Sequence, residues 1–190
     1  METIKLEQNI INKVVETIKK GGVVVFPTDT VYGFLADAKN KKAVNRIFKI
    51  KRRSKQKPLS VFVQDFKTAK SIALIDKNQK SFLKKSWPGK VTVVLKRKTG
   101  TKLYGIDRKT IAVRIPKYKF LNDLLKKINK PLVQTSVNIS GQLPLVRVKD
   151  MLGKFKEDKL QPDLIVDAGF LKNKPSKIID LTGKNEKILR

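Results

Sequence analysis

VVVFPTDTVYG, residues 23–33, is the stretch on which the interpretation of this chain depends. The apolar run Val23–Phe26 predicts a buried strand, and the proline that follows turns the chain so that two threonines, an aspartate and a tyrosine come after the strand's end. An ordinary turn accounts for such residues too, because Thr and Asp side chains bond to nearby backbone and Tyr32 can return to the core. Residues elsewhere in the sequence decide between a turn and a binding site.

The composition of the chain limits its chemistry. With 190 residues, 40% of them hydrophobic, the chain can bury one sizeable core, which predicts a single domain over residues 1–190. It has no cysteine and no histidine, so disulfides, thiolate nucleophiles, Cys/His zinc sites and Ser-His-Asp triads are excluded. An enzyme built from hydroxyls, carboxylates, lysines and arginines works by positioning and by stabilising negative charge, which is typical of phosphoryl or nucleotidyl transfer.

The charge of the chain points to an anionic partner. Its 44 Lys and Arg outnumber its 16 Asp and Glu, and the net charge of +28 suggests RNA or a nucleotide. Lysines are spread through almost every segment and indicate a solvated surface, whereas the few arginines carry the planar guanidinium that binds anions through two donors at once. The polar start and the lack of any run near the roughly 18 apolar residues of a membrane span predict a cytoplasmic protein without membrane contact.

Helical and strand patterns alternate along the chain. Apolar residues at helical spacing predict helices over residues 10–18, 43–48, 68–85 with a break near 75–76, 120–128 and 148–155. Apolar runs predict strands at 23–26, 59–63, 91–95, 111–115, 132–134, 164–166 and 178–181. This mixed order predicts an α/β fold, a twisted mixed sheet with helices on its faces. The basic stretch 97–109 is expected to be a mobile excursion between two strands.

Two polar loops are candidates for binding a nucleotide, since the chain has neither a P-loop motif nor a G-x-G-x-x-G motif. In KRRSKQKPL, Lys51 and Arg53 are two apart and would point the same way in an extended segment, where they could clamp a triphosphate. In QTSVNISG, Ser136 and Asn138 alternate in the same manner. A solvated charge run and a polar turn closed by a glycine are the structural alternatives. Ligands in open α/β sheets bind beyond strand ends, where these loops would converge.

Seven short motifs occur in a fixed order along nearly the whole chain: P-T-D-T-V-Y-G, K-x-R…K-P-L, S-W-P-G-K-V-T, A-V-R-I-P, T-S-x-N-x-S-G, P-S-K-I-I-D-L-T and a closing I-L-R. In this order they resemble the threonylcarbamoyl-AMP synthase family, which has a YrdC-type fold. The resemblance implies a YrdC-like α/β domain whose twisted mixed sheet surrounds a concave, positively charged groove. Each motif alone is weak, so the resemblance rests on their combination.

The resemblance implies a reaction of L-threonine, bicarbonate or CO₂, and ATP that yields threonylcarbamoyl-AMP and pyrophosphate. The amine of threonine is carboxylated, and the new carboxylate then attacks the α-phosphate of ATP in line. Mg²⁺ accompanies the ATP as the expected cofactor. Downstream transfer proteins pass the threonylcarbamoyl group to an adenosine beside the anticodon of certain tRNAs, and direct contact of this chain with the tRNA is left open.

Site residues follow from the resemblance motif by motif. The catalytic set implied by K-x-R and S-x-N is Lys51, Arg53, Ser136 and Asn138. The residues implied to bind ATP are Lys51, Arg53, Lys57, Thr110, Asn138 and Arg190. Those implied to bind threonine are Thr30, Arg114, Ser136 and Ser176, with Arg114 as the partner of the threonine carboxylate. No residue is implied as a metal ligand.

The chain departs from the family's pattern in two places. Some relatives have a histidine in the threonine pocket where this chain has Phe62, so a polar contact is not expected there. Relatives often continue past the late arginine, so Arg190 is expected to be frayed in the absence of ligand. Trp87 and Tyr32 are assigned mainly to packing and to the rim of the groove.

Two other functions compete with the synthase. A non-catalytic RNA-binding module of the same fold would use the same basic groove for an RNA backbone. A carbamoyl-transfer domain of hydrogenase maturation would need acylphosphatase-like and zinc-finger segments, for which the chain has neither the length nor any cysteine. The presence of both K-x-R and S-x-N favours the synthase.

Overall fold

The computed structural model describes residues 1–156, 158–183 and 185–190, and these residues form a mixed sheet with helices on both faces. The strands are β1 (Glu2–Lys5), β2 (Val24–Phe26), β3 (Gly33–Asp37), β4 (Ser60–Phe62), β5 (Val91–Lys96), β6 (Thr110–Arg114), β7 (Leu132–Ser136), β8 (Leu164–Asp167), β9 (Lys177–Asp180) and β10 (Lys187–Ile188). The helices are α1 (Ile11–Lys19), α2 (Lys41–Ile50), α3 (Phe66–Ile72), α4 (Lys77–Ser86), α5 (Lys119–Ile128) and α6 (Val148–Phe155).

The described strands lie in one sheet of order β1-β8-β2-β3-β7-β4-β6-β5-β9-β10. The sheet contains both parallel pairs (β1 with β8, β2 with β8, β4 with β6, β5 with β9) and antiparallel ones (β2 with β3, β3 with β7, β4 with β7, β5 with β6, β9 with β10). The predicted fold class, a mixed α/β sheet with helices on its faces, is confirmed.

Each face of the sheet carries its own hydrophobic core. Helices α2, α3, α4 and α6 pack on one face, and α1 and α5 cover the other. Side chains of β2 alternate between these layers: Val25 belongs to the first core, while Val24 and Phe26 belong to the second. Because both faces of β2 are buried, all of its side chains are apolar, and the strand was predicted from this continuous apolar run.

Side-chain caps set the starts of three helices. Asn40 accepts a hydrogen bond from the backbone N–H of Ala43 at the start of α2 (3.0 Å). Asp65 caps α3 through Thr68 N (2.7 Å), and Asp76 caps α4 in the same way. The first backbone N–H groups of a helix need an acceptor outside the helix, and Asp76 supplies one for α4. The predicted break near residues 75–76 is therefore the start of a new helix.

The structure corrects two parts of the sequence interpretation. Strands β1, β3 and β10 were not predicted, because β1 is mostly exposed, β3 follows the proline turn directly, and β10 has only two residues. The expected mobility of residues 97–109 is wrong: Leu103 is buried, and the Arg97 guanidinium donates to Thr101 Oγ1 (3.0 Å) and to the carbonyl of Asp107 (3.0 Å). This arginine closes the excursion into a packed loop.

Strand register brings the polar loops together. In the β3–β7 pair, Gly33 lies opposite Ser136, so the end of P-T-D-T-V-Y-G meets the start of S-x-N. On the other side of β7, β4 joins it to β6, and Phe62 lies opposite Arg114. Ser60, Ala112, Arg114, Gln134 and Ser136, which alternate along β4, β6 and β7, therefore share one face of the sheet, where side chains of the motifs converge. Within the described residues, no helix has both the length and the apolar character needed to cross a bilayer.

Candidate functional site

The converging segments enclose a cavity of about 160 Å³ over one face of the central strands. Three arginines line it (Arg53, Arg114 and Arg190), and hydroxyl groups are added by Thr30, Ser136 and Ser176 among others. Among the described residues that line it there is no aspartate or glutamate. A small cavity with guanidinium and hydroxyl groups but no carboxylate on its wall suits a carboxylate or a phosphate group.

Arg114 is almost fully buried at this site, with only 1% of its surface exposed. Its Nη2 donates to a carboxylate oxygen of Asp29 in a buried ion pair, and its Nε donates to the carbonyl of Gly89 (2.8 Å). Its Nη1 donates to Thr30 Oγ1 (3.2 Å), while the Phe62 ring centroid lies 5.6 Å from the guanidinium carbon. Burial lowers the pKa of Arg114, and the Asp29 charge opposes that shift. Asp29 thus holds the guanidinium in one orientation.

The proline turn itself is tied together by its two threonines. Thr28 Oγ1 donates to the carbonyl of Val31 (2.8 Å) and accepts from the backbone N–H of Thr30 (3.0 Å). The hydroxyl oxygens of Thr28 and Thr30 are 2.9 Å apart. Both threonines are buried, yet Thr30 also lines the cavity. The turn and the binding-site interpretations of this motif are therefore compatible: Thr28 closes the turn and Thr30 faces the cavity.

Lys51 is buried beneath the cavity, and its exposed fraction is 1%. Its Nζ donates to the carbonyls of Ser136 (2.6 Å) and Asn138 (3.0 Å) and to Asn138 Oδ1 (2.7 Å). Burial, with a smaller contribution from the charge of Arg53, lowers the pKa of Lys51 to about 7. All three ammonium protons are therefore used inside the protein, where they fasten the end of α2 to the loop after β7.

The K-x-R segment does not have the predicted geometry. Lys51 is the C-cap of α2 and Arg52 adopts the left-handed conformation (φ 50°), so the two cations do not alternate along an extended strand. Arg53 alone reaches the cavity, and it is braced by hydrogen bonds from Nε to the Lys57 carbonyl (2.8 Å) and from Nη2 to the Pro58 carbonyl (3.0 Å). The prediction that Lys51 and Arg53 point the same way is wrong, because the helix continues to Lys51.

Ser136 and Asn138 do lie together, as the sequence indicated. Ser136 Oγ donates to Asn138 Oδ1 (2.7 Å), and Asn138 Nδ2 donates to the carbonyls of Ile139 (2.9 Å) and Gln142 (2.7 Å). Together with the bond from Lys51, these contacts occupy the whole amide of Asn138. Ser136 lines the cavity, whereas Asn138 shapes the loop behind it.

The end of the chain closes one side of the cavity. Arg190 donates from Nε (3.2 Å) and Nη2 (3.0 Å) to the carbonyl of Ser176, and its own carbonyl accepts from Ile178 N (2.9 Å). The expectation of a frayed Arg190 is therefore wrong, because its hydrogen bonds to Ser176 and Ile178 hold it beside β9. Next to it, the hydroxyls of Ser176 and Thr92 are 2.9 Å apart. Burial lowers the pKa of the Arg190 guanidinium.

The structure places Lys57, Thr110 and Trp87 outside the cavity wall, whereas Tyr32 lines it. Lys57 is exposed on the loop before β4, and Thr110 binds Asp107 Oδ1 through both its N–H (2.8 Å) and its hydroxyl (3.2 Å). Their assignment to ATP remains a prediction. Tyr32 and Trp87 are buried, and the Tyr32 hydroxyl donates to the Gly169 carbonyl (2.7 Å). That contact and burial, which raises the pKa of Tyr32 to about 12, keep the phenol structural.

Sequence reasoning missed Asp29, although it stands inside the first motif. A turn aspartate is ordinarily a local hydrogen-bond acceptor, and nothing in the spacing shows that its partner is Arg114 on β6. A signal did exist: Asp29 and Arg114 are charged residues beside apolar strands, and buried charges are normally paired. Thr92, whose hydroxyl contacts Ser176, gave no signal of its own.

Fold and site together define an α/β domain with a basic, hydroxyl-lined cavity over one face of a mixed sheet. The family model for the Sua5/YciO/YrdC domain, described as "Telomere recombination", matches residues 16–190. The chain belongs to this family.

Three relatives illustrate the similarity. A Methanocaldococcus jannaschii protein named "Putative threonylcarbamoyl-AMP synthase" is 36% identical over 182 residues, which cover 93% of this chain and 84% of that protein. Escherichia coli YciO, described as uncharacterized, is 30% identical over 97% of this chain and 89% of its own length. Its crystal structure superposes with a TM-score of 0.88, at 28% identity over 100% of this chain and 93% of that one.

The third relative is P. abyssi Sua5, whose crystal structure in complex with L-threonine also gives a TM-score of 0.88, at 29% identity. The match covers 100% of this chain and 56% of the Sua5 chain. This chain therefore spans about half the length of Sua5.

Proposed function

We propose that the protein is an L-threonylcarbamoyladenylate synthase, which forms threonylcarbamoyl-AMP and pyrophosphate from L-threonine, bicarbonate or CO₂, and ATP. The observation that carries the proposal is the cavity in which Arg53, Arg114 and Arg190 meet the hydroxyls of Thr30, Ser136 and Ser176. The name of the M. jannaschii relative and the threonine bound to P. abyssi Sua5 support the choice of substrate. Downstream transfer proteins and tRNA are part of the same proposal.

The reaction needs orientation and charge stabilisation more than acid–base groups. The threonine nitrogen attacks the carbon of CO₂, forms a C–N bond and loses a proton to give a carbamate. A carbamate oxygen then attacks the α-phosphorus of ATP, while the bond from that phosphorus to the pyrophosphate oxygen breaks. Guanidinium groups offset the negative charge of both partners and of the leaving group, as in other phosphoryl-type transfers.

The cavity's size supports a role in binding one end of the substrates. Its volume of about 160 Å³ is below the roughly 300–1,000 Å³ that holds a whole drug-sized ligand. Arg53 also lines a second cavity of about 750 Å³ along α2, whose wall includes Lys42, Lys49 and Lys55. In the proposal, threonine and the reacting phosphate occupy the small cavity and the rest of ATP extends past Arg53.

Mg²⁺ enters the proposal as part of the substrate MgATP. In residues 1–156, 158–183 and 185–190, no group of three or more Asp or Glu lies close enough to hold a metal ion. The wall of the cavity carries guanidinium groups, which do not ligate cations. The phosphate oxygens of ATP, which suit this hard cation, would bind it.

Pyrophosphate release by the purified full chain tests the proposal. With ATP and Mg²⁺, release should require both threonine and bicarbonate, and mass spectrometry should detect threonylcarbamoyl-AMP. ATP turnover that does not require both threonine and bicarbonate would contradict the synthase.

The net charge of +28 favours a second function, RNA binding without catalysis. Surface lysines alone give an RNA affinity that falls steeply with salt. RNA binding would therefore be established as the function by an RNA affinity that persists at physiological salt together with no threonine-dependent release of pyrophosphate.

A further inference from the structure

Helix α2 ends in a turn that usually contains glycine. The backbone N–H of Arg53 donates to the carbonyl of Phe48 (2.9 Å), and that of Arg52 donates to the carbonyl of Lys49 (3.0 Å). These are the two hydrogen bonds of a Schellman motif, and Arg52, with a φ of 50°, occupies its left-handed position. Glycine is the usual residue there, because an L side chain crowds the following carbonyl oxygen in this conformation. The side chain of Arg52 therefore destabilises the turn that it occupies.

Helix α5 ends in the same backbone conformation with a better-suited residue. Asn129 has a φ of 49°, and its N–H donates to the carbonyl of Leu125 (3.0 Å). Asparagine tolerates the left-handed region better than other residues with a side chain, since its short amide bonds to nearby backbone. In the described part of the chain, Arg52 and Asn129 are the two residues other than glycine that have a positive φ. The requirements of the backbone thus explain Asn129 but not Arg52.

The side-chain contacts of Arg52 do not offset the strain. Its side chain is 73% exposed, and its Nη2 lies 3.6 Å from a carboxylate oxygen of Asp158. An ion pair that is this long and this exposed is screened by water and salt, so it contributes little to stability. Arg52 therefore improves the folded state neither through its backbone nor through its packing, and its guanidinium is available to an anion.

Arg52 lies where such an anion would have several charges. It lines the second cavity, of about 750 Å³, whose wall also includes Lys42, Lys49 and Lys55. None of the described residues on this wall is an aspartate or a glutamate. Arg53 belongs to the walls of both cavities, so a ligand that extends from the small cavity past Arg53 next meets Arg52. A row of cations without a carboxylate suits consecutive phosphate groups better than it suits a nucleoside.

We propose that Arg52 binds the terminal phosphates of ATP, the two that leave the reaction as pyrophosphate. The identity of the nucleotide rests on the proposed function. When the carbamate oxygen bonds to the α-phosphorus, the bond from that phosphorus to the bridging oxygen breaks, and its electron pair leaves with pyrophosphate. Arg52 offsets this added negative charge in the second cavity, while Arg53 stays beside the reacting phosphate. The strained turn thus places two consecutive arginines along one triphosphate.

Replacement of Arg52 should change stability and binding in opposite directions. Arg52→Gly removes the crowded side chain, so the melting temperature of the purified full chain should rise by about 2–4 °C. In calorimetric titrations with Mg²⁺ at fixed ionic strength, the same variant should bind ATP and pyrophosphate about tenfold more weakly. AMP lacks the terminal phosphates, and its affinity should stay within about twofold. A purely structural residue would lower stability and binding together.

Three further variants separate charge from strain. Arg52→Lys keeps a cation and a crowded turn, so it should lose less ATP affinity than Arg52→Gly and gain no stability. Arg52→Asn tolerates the turn but lacks the charge, and it should bind ATP as weakly as Arg52→Gly. Asn129→Gly changes the other left-handed position, far from the two cavities, and should leave ATP affinity unchanged.

Two results would overturn the inference. Equal weakening of ATP and AMP by Arg52→Gly would show that Arg52 does not act on the terminal phosphates. Unchanged affinity for ATP and pyrophosphate would show that it binds neither. In that second case, a loss of affinity for a single-stranded RNA oligonucleotide would assign the cation to an RNA backbone instead.

The outcomes also distinguish this inference from the proposed synthase. Binding of ATP and pyrophosphate that depends on Arg52, without threonine-dependent release of pyrophosphate, would retain the inference and reject the synthase. Synthesis by Arg52→Gly with an unchanged KM for ATP would do the reverse. Absence of ATP binding by the wild-type chain would overturn both.

Discussion

Lys51 and Arg114 are both buried cations, but their charges are stabilised differently. Arg114 faces the carboxylate of Asp29, whereas Lys51 faces three neutral oxygens of Ser136 and Asn138. Arg114 keeps two N–H bonds for the cavity, and Lys51 keeps none. The difference separates two tasks that the sequence motifs do not distinguish: Arg114 is available to a ligand, and Lys51 holds the loop on which Ser136 stands.

Removal of the anion from the paired cation should have the largest effect. Asp29→Ala leaves the Arg114 charge buried and unpaired, so we expect a loss of about 3–5 kcal/mol in the free energy of unfolding. Urea denaturation measures it. Asp123→Ala, which removes an exposed carboxylate from its contact with Lys119, should cost about 0–1 kcal/mol. A similar small loss for Asp29→Ala would show that Arg114 does not depend on this ion pair.

Arg53 tests whether a cation that reaches the cavity binds the nucleotide. Arg53→Ala removes a charge-assisted contact, so ATP affinity should fall by about 1.5–3 kcal/mol while the protein stays folded. Isothermal calorimetry measures the affinity, and Lys70→Ala, which removes one exposed charge from α3, is the control. Unchanged ATP affinity would remove Arg53 from the phosphate site.

Lys51 should behave as a structural residue in the first instance. Lys51→Met removes the donor from three buried oxygens, and we expect a loss of about 1–3 kcal/mol in stability, smaller than for Asp29→Ala because no unpaired charge is left behind. The same variant should lower synthesis through the displaced Ser136 loop. Lys80→Met, on the exposed side of α4, should change neither quantity. Full stability with lost ATP affinity would instead make Lys51 a direct ligand.

Over a single pH unit, the pH dependence of stability gives the smallest and sharpest distinction. The pKa of Lys51 is lowered to about 7 in the folded protein from an ordinary value of 10.5, so above pH 7 the unfolded chain binds the proton that the folded chain releases. Stability should therefore rise with pH between about 7 and 10, by about 1 kcal/mol from pH 7 to pH 8. The difference between wild type and Lys51→Met, measured across this range, isolates the effect. A flat difference would mean that the three oxygens keep Lys51 protonated.

Much of the fold followed from local patterns, whereas the inner contacts of the site did not. Buried runs such as Val23–Phe26 predicted strands because both faces of the sheet are covered. The two-residue spacing predicted that the side chains of Lys51 and Arg53 point the same way. Instead, Lys51 is the C-cap of α2 and the backbone of Arg52 is left-handed, so the two side chains do not alternate along a strand. The partnership of Asp29 with Arg114 depends on strand order and register, which no local pattern encodes. The motifs therefore located the site, and the tertiary pairing determined which side chains reach it.

The adjacency of β3 and β7 also affects how the protein folds. Gly33 and Ser136, which pair across these strands, are roughly a hundred residues apart along the chain, and contacts of such long sequence separation form slowly. The wall of the cavity cannot exist before β7 has been synthesised and has docked between β3 and β4. We therefore expect threonine affinity to appear in the last, rate-limiting phase of refolding. A nascent chain that ends before β7 would have the P-T-D-T-V-Y-G motif but no site.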